Sequence, residues 1–212
     1  MTLARFTSSA SRPARFLPAR FFIASTAAAL ALGLAGCKDS PKPEQAGASK
    51  AAAQTVSMET LAAEGKGFSV GSAMAARTVY VFFDPQCPHC AALWLAAKPL
   101  KSQARFVWMP VSLLNPTSTT QGAALLASAD PVTAMDQHEA SMSAKQGGIV
   151  AQGDVEAQKA QVMANTALMN RYGFGSVPVI VGKHATTGEL VVKEGALPTP
   201  ALAQALGLQS PN

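Results

Sequence analysis

Two cysteines three positions apart, Cys87 and Cys90, are the residues of this chain best suited to chemistry. They enclose Pro88 and His89 and follow Thr78-Val79-Tyr80-Val81-Phe82-Phe83, an apolar, β-branched and aromatic run that reads as a buried strand. Asp84 and Pro85 break the run, and Ala91 to Leu100 has helical composition, so Cys87 is expected at a helix start. Unpaired N–H groups and the positive end of the helix dipole stabilise a thiolate there and lower its pKa. Cys90 is then close enough to close a disulfide and is expected to point inward, away from solvent. Such a pair can switch between dithiol and disulfide. A structural zinc site needs four ligands, and neither a second Cys-x-x-Cys nor a spaced pair among His89, His138 and His184 supplies them. An inert bridge is the other alternative, but closing so short a loop adds little stability. Redox chemistry is the reading the spacing favours, and nothing in the sequence calls for a metal or an organic cofactor.

The elements that must position this pair begin after a targeting segment. Residues 1–37 carry Arg5, Arg12, Arg15 and Arg20 ahead of an apolar stretch from Phe21 to Ala35 that is short for a membrane span. The stretch ends in Leu34-Ala35-Gly36-Cys37, which resembles a bacterial lipoprotein box with Cys37 as the lipidated residue; an ordinary signal peptide is the alternative. Lipidation would account for the third cysteine and leave Cys87 and Cys90 as the free pair. The formal charge of +5 is concentrated in that segment. Beyond Cys37, thirteen basic residues face twelve acidic ones, so no case for nucleic-acid binding remains. An exported protein also lives where disulfides persist.

Residues 38–54, rich in Ala, Lys, Pro and Gln without an apolar period, read as a flexible tether. The remainder, 55–208, is long enough for one hydrophobic core. A short helix is expected over Thr55–Glu64 and a short strand over Gly67–Val70. After the strand that precedes Cys87, Lys98-Pro99 bends or ends the active-site helix, and Arg105–Val111 reads as a second long strand. Strand, helix and strand make a parallel βαβ unit. From about 118 to 172 the composition turns to Ala, Leu, Met and Gln. Asn115, Asp130-Pro131 and Asp154 supply helix-start chemistry. Met135, Met142, Met163, Leu168 and Met169 are expected to pack between those helices, with a Met-rich binding surface as the alternative. Val177–Val181 and Glu189–Lys193 read as strands joined by the turn Thr186-Thr187-Gly188, and Thr199–Leu206 as a last helix. This order, β-α-β, helical insertion, β-β-α, gives an α/β fold class with the layout of a thioredoxin-like fold carrying a helical insertion.

The run Val81-Phe82-Phe83-Asp84-Pro85-Gln86-Cys87-Pro88-His89-Cys90, with Trp94 after it, resembles the catalytic domain of the periplasmic thiol–disulfide oxidoreductases of the DsbG and DsbC type. Leu125-Leu126-Ala127-Ser128-Ala129-Asp130-Pro131 is also similar to DsbG, and the resemblance covers about residues 76–207. It implies disulfide exchange with cysteine-containing exported proteins, no cofactor, and a membrane redox partner that resets the dithiol. It also implies a cis-proline loop facing the cysteines, for which Gly175-Ser176-Val177-Pro178 is the candidate; the Val177 backbone there would pair with a substrate strand. Two departures are visible. Only forty residues, 38–77, separate Cys37 from the first long strand, so the N-terminal dimerisation domain of that family is expected to be absent and the protein a monomer. Pro88-His89 and Val177 match the oxidase DsbA instead.

From these residues the expected roles follow. Cys87 is the nucleophile and Cys90 the resolving thiol. Pro88 and His89 tune the pair, a cationic His89 stabilising the thiolate and so making the disulfide a stronger oxidant. Val177 and Pro178 shape the substrate groove. Asp84 caps the active-site helix or assists proton transfer to Cys90, capping being preferred. The function expected is that of a lipid-anchored periplasmic oxidoreductase working as an oxidant. A reductase or isomerase acting on disulfides or sulfenic acids, and a non-catalytic binding or chaperone module, are the alternatives.

Overall fold

Strand β2 (Thr78–Phe83) organises the domain, because its alternate side chains enter two different cores. In the computed structural model, which describes residues 53–211, a strand this apolar on both faces takes the centre of a sheet. Its neighbours are β3 (Arg105–Pro110), parallel to it, and β4 (Val179–Lys183), antiparallel. The edges are β1 (Phe68–Val70), antiparallel to β3, and β5 (Leu190–Glu194), antiparallel to β4, giving the order β1-β3-β2-β4-β5.

Val79, Val81 and Phe83 point to one face, where helix α2 (Pro88–Ala97) packs Leu93, Trp94 and Ala97 and α6 (Thr199–Leu206) packs Leu202, Ala203 and Leu206. Trp94 and Trp108 meet edge-on at 5.0 Å, and Phe68 and Phe83 extend this aromatic cluster. Tyr80 and Phe82 point to the other face, against Leu61 of α1 (Met58–Glu64) and Leu168 and Met169 of α5 (Glu156–Arg171). Helix α2 closes the parallel β2–β3 pair and passes into a 3₁₀ turn, Lys98–Leu100, at Pro99.

Between β3 and β4 lie α3 (Pro116–Ala127), α4 (Pro131–Ser143) and α5. Asn115 caps α3 by accepting from Thr117 N–H, and Asp130 caps α4 by accepting from Thr133 N–H, each with proline at the first helical position. Gly122 lets α3 lie against Pro110 and Val162, since a Cβ there would meet them at 2.9 and 3.0 Å. Buried Asn165 of α5 donates to the carbonyls of Lys66 and Pro110 and accepts from Lys66 N–H, tying the insertion to the sheet.

Three expectations are corrected. The N-cap of α5 is Val155, not Asp154; Asp154 sits one position earlier and accepts from Glu156 N–H at 3.0 Å. Met163 does not pack between helices but is 53% exposed, because the inward side of α5 is taken by Val162, Asn165, Leu168 and Met169. Strand β4 begins at Val179, leaving Val177 and Pro178 in the loop before it. Among the described residues no helix is long and apolar enough to cross a membrane. The targeting segment, Cys37 and nearly all of the expected tether lie outside the described residues.

Candidate active site

Where β2 ends, the chain must leave the sheet and start α2, and Cys87 takes the N-cap position of that helix with extended backbone. Cys87 accepts the first helical bonds through its carbonyl, from Cys90 and Ala91 N–H, and no side chain caps the helix, so the sulfur stands at the open, positive end. Both cysteines are free and buried, Cys90 completely.

The two thiols are in very different environments. The Cys90 thiol donates to the Cys87 sulfur, and this bond is the largest influence on Cys87; burial opposes it. The backbone N–H groups of Cys90 and His89 and the charge of His89 add to it, and Cys87 is pulled down to about 6. Cys90 is driven strongly upward, first by burial and then by its bond to, and the negative charge of, Cys87. The outcome is one ionised sulfur at the helix start beside one protonated sulfur behind it. In its thiol form Cys87 can donate to the carbonyl of Val177, 3.6 Å away. The Val177–Pro178 peptide bond is cis. Pro88 and His89 are exposed, and the charge of His89 has the smallest of the named effects on Cys87.

Asp84 corrects the expectation that it caps the active-site helix. It is fully buried, and its Oδ1 accepts from Gln86 N–H at 2.8 Å and Ser118 Oγ at 2.7 Å. Its Oδ2 accepts from Leu113 and Leu114 N–H at 2.8 and 2.9 Å. Four donors occupy the four acceptor positions of a carboxylate. Asp84 therefore clamps the loop before Cys87 to the segment joining β3 and α3.

The insertion holds the same loop from the other side, through residues the sequence reading passed over. His138 of α4 is fully buried; its Nε2 donates to Pro85 O at 2.7 Å and its Nδ1 accepts from Ile149 N–H at 3.0 Å. Burial holds this ring below its usual pKa and keeps it neutral. Gln86 Nε2 donates to Gln121 Oε1 of α3, and Gln121 Nε2 donates to Gly147 O. Gly148, at φ +85°, passes so close to Gln121 and His138 that a Cβ would lie 2.7 Å from each. Next to His138, Glu139 is 9% exposed and lines a cleft of about 230 Å³ that also touches Cys87. The carboxyl of Glu139 is pushed up to about 7, mainly by burial and secondarily by Cys87. A signal for these residues exists in the sequence: Met135, His138, Glu139 and Met142 fall on one helical stripe, and polar residues in an inward stripe are rarely idle. Among the described residues no group of three His, Cys, Asp or Glu could hold a metal ion.

No family model matches the chain. Solved structures share its architecture, including a periplasmic thioredoxin-like protein from Salmonella enterica serovar Typhimurium (TM-score 0.57, 15% identity, 73% of this chain and 97% of that one). The catalytic domain of Proteus mirabilis ScsC is another (TM-score 0.54, 16% identity, 70% of this chain and 96% of that one). The fold is thioredoxin-like. In sequence, the chain is similar to thiol:disulfide interchange protein DsbG of Pseudomonas aeruginosa, 35% identical over 141 residues (65% of this chain, 54% of the relative). DsbG of Escherichia coli is 34% identical over 104 residues (48% of this chain, 42% of the relative). The chain thus spans about half the length of the DsbG proteins it matches.

Proposed function

We propose that this chain is an exported, lipid-anchored thiol–disulfide oxidoreductase that donates disulfides to cysteine-containing proteins of the periplasm. The observation that carries the reading is the asymmetric pair, an ionised Cys87 at the start of α2 against a protonated, buried Cys90. In the oxidising direction a substrate thiolate attacks Cys87 Sγ of the disulfide form, and Cys90 leaves with the electron pair and takes up a proton. A second substrate thiolate attacks the substrate sulfur of the mixed disulfide and expels Cys87 as a thiolate. The substrate loses two electrons and the pair gains them, without any cofactor. A membrane redox partner then takes those two electrons to restore the disulfide.

A low thiolate pKa stabilises the reduced pair and so makes the disulfide the stronger oxidant. The Val177 carbonyl beside Cys87 supports pairing of a substrate strand at the Val177–Pro178 loop. Pro88 and His89 belong to the rim on which the substrate docks, with His89 assisting the thiolate. The lipid anchor at Cys37, the tether to residue 54 and a monomeric domain over 55–208 complete the reading. The opposite direction, reduction or isomerisation, is the second reading, and the relatives named for thiol:disulfide interchange are compatible with either. Equilibration of Cys87/Cys90 in glutathione buffers separates the two: we expect about −120 mV, and a value of about −200 mV or below would overturn the oxidising assignment.

A further inference from the structure

The cleft beside Cys87 holds a carboxyl group that nothing in the protein answers. Glu139 is nine-tenths buried, and its Oε1 is shut off from solvent with no hydrogen-bond partner among the described residues. A carboxylate oxygen withdrawn from water without a donor is costly to keep, and native structures that retain such a group give it a chemical role or an outside partner such as a water, an ion or a ligand. Besides Cys87 the cleft is lined by Pro85, Gln86, Pro88, Ala91, Met142 and Ser143, with no lysine or arginine, and the Ser143 hydroxyl makes no hydrogen bond to Glu139. Gln86 is committed to Gln121. The ring of His138, next in sequence, spends both nitrogens on backbone groups and carries no charge. A donor for this carboxyl must therefore come from outside, and a cationic one would also draw off its proton.

We propose that Glu139 is the floor of a subsite that takes a basic side chain of the substrate, next to the cysteine engaged by Cys87. This rests on the reading of Cys87 as the sulfur that forms the mixed disulfide with the substrate, in whichever direction exchange runs. Chemistry and shape agree on lysine or arginine. The ammonium or guanidinium group donates to the carboxylate, while Pro88, Ala91 and Met142 offer an apolar wall for the aliphatic stem. When the pair is reduced, the Cys87 thiolate adds a second negative charge at the mouth of the same cleft. A substrate cysteine flanked by basic residues is thus selected at the step in which the two sulfurs meet.

The test uses the reduced full chain and three otherwise identical peptides, each with one cysteine capped as a disulfide with nitrothiobenzoate. The residues flanking the cysteine are lysine, norleucine or glutamate. Cys87 thiolate attacks the peptide sulfur and releases the coloured thiolate. Cys90 then attacks Cys87 Sγ, frees the peptide thiolate and gives up its proton, so the peptide is reduced and the pair oxidised. Rates are divided by those with 2-mercaptoethanol, which removes the intrinsic reactivity of each peptide. We expect lysine to exceed norleucine on the order of tenfold, glutamate to be slowest, and the lysine-to-norleucine ratio to fall toward one in Glu139→Gln. Equal normalised rates for the three peptides in the unmodified chain, or an undiminished ratio in a folded Glu139→Gln, would overturn the subsite while leaving Cys87 as nucleophile. Undiminished colour release in Cys87→Ser, measured with Cys37 also replaced by serine so that no third thiol reacts, would overturn both.

Discussion

Replacing Cys90 by alanine probes the central electrostatic claim, because the Cys90 thiol is the largest influence holding Cys87 at about 6. A hydrogen bond to a charged acceptor contributes about 1.5–3 kcal/mol, and about 1.4 kcal/mol corresponds to one pKa unit. An S–H group is a weak donor, so the lower end applies, and Cys87 is expected to titrate about one pH unit higher, near 7. The variant leaves a single thiol in the pair, so the ultraviolet absorbance of the thiolate followed against pH reports Cys87 directly. His89→Ala, which removes the smallest of the named influences, is expected to move the same midpoint by less. A Cys90→Ala midpoint that stays at about 6 would refute the reasoning and transfer the stabilisation to the helix start. A larger shift in His89→Ala than in Cys90→Ala would reverse the order of causes.

Two further perturbations test the scaffold around the pair. Asp84→Ala leaves three backbone N–H groups and the Ser118 hydroxyl without their acceptor. A loss of about 3–5 kcal/mol is expected in urea unfolding, and a loss below about 1 kcal/mol would show the clamp to be dispensable. His138→Ala removes the bonds to Pro85 and Ile149 and is expected to cost about 2–4 kcal/mol at neutral pH. The His138 contribution also carries a sign with pH. The folded ring stays neutral below the pH at which the unfolded ring gains its proton, about 6.5. Stability is therefore full above that pH and declines as the solution is acidified. The difference between the unmodified chain and His138→Ala should shrink from pH 7.5, about one unit above that midpoint, to pH 5, about 1.5 units below it; a constant difference would mean that the folded ring gains its proton as readily as the unfolded one.

Much of the architecture was legible in the sequence because it is written locally. The β2 run, the Pro99 break, the caps at Asn115 and Asp130 and the helix Thr199–Leu206 each depend on neighbours within a turn or two. The cysteine pair was legible for the same reason. Asp84 was misread because its partners at Leu113, Leu114 and Ser118 are about thirty residues away, and nothing local distinguishes a buried clamp from a cap. His138 and Glu139 were passed over because α4 reads as an ordinary Ala- and Met-bearing helix until its stripe is laid against the active-site loop. Met163 failed for the opposite reason, since composition alone does not say which side of α5 faces the sheet.

The placement of these overlooked residues divides the labour of the domain. The chemistry of exchange needs only the start of α2 and the loop ahead of β4, both carried by the sheet. The insertion touches that chemistry indirectly: Gln121 and His138 hold Pro85 and Gln86, so they fix where the Cys87 sulfur stands without bonding to it. The same helix that supplies His138 supplies Glu139, one residue on, to the wall of the cleft. A change in α4 can therefore alter what approaches Cys87 while the Cys90 bond that lowers its pKa is left untouched. On the proposed subsite, substrate preference rests on Glu139 of α4 and thiolate stabilisation chiefly on Cys90. Because the charges of Cys87 and Glu139 raise each other's pKa, Glu139→Gln should change peptide preference and lower the Cys87 midpoint, whereas Cys90→Ala should raise it.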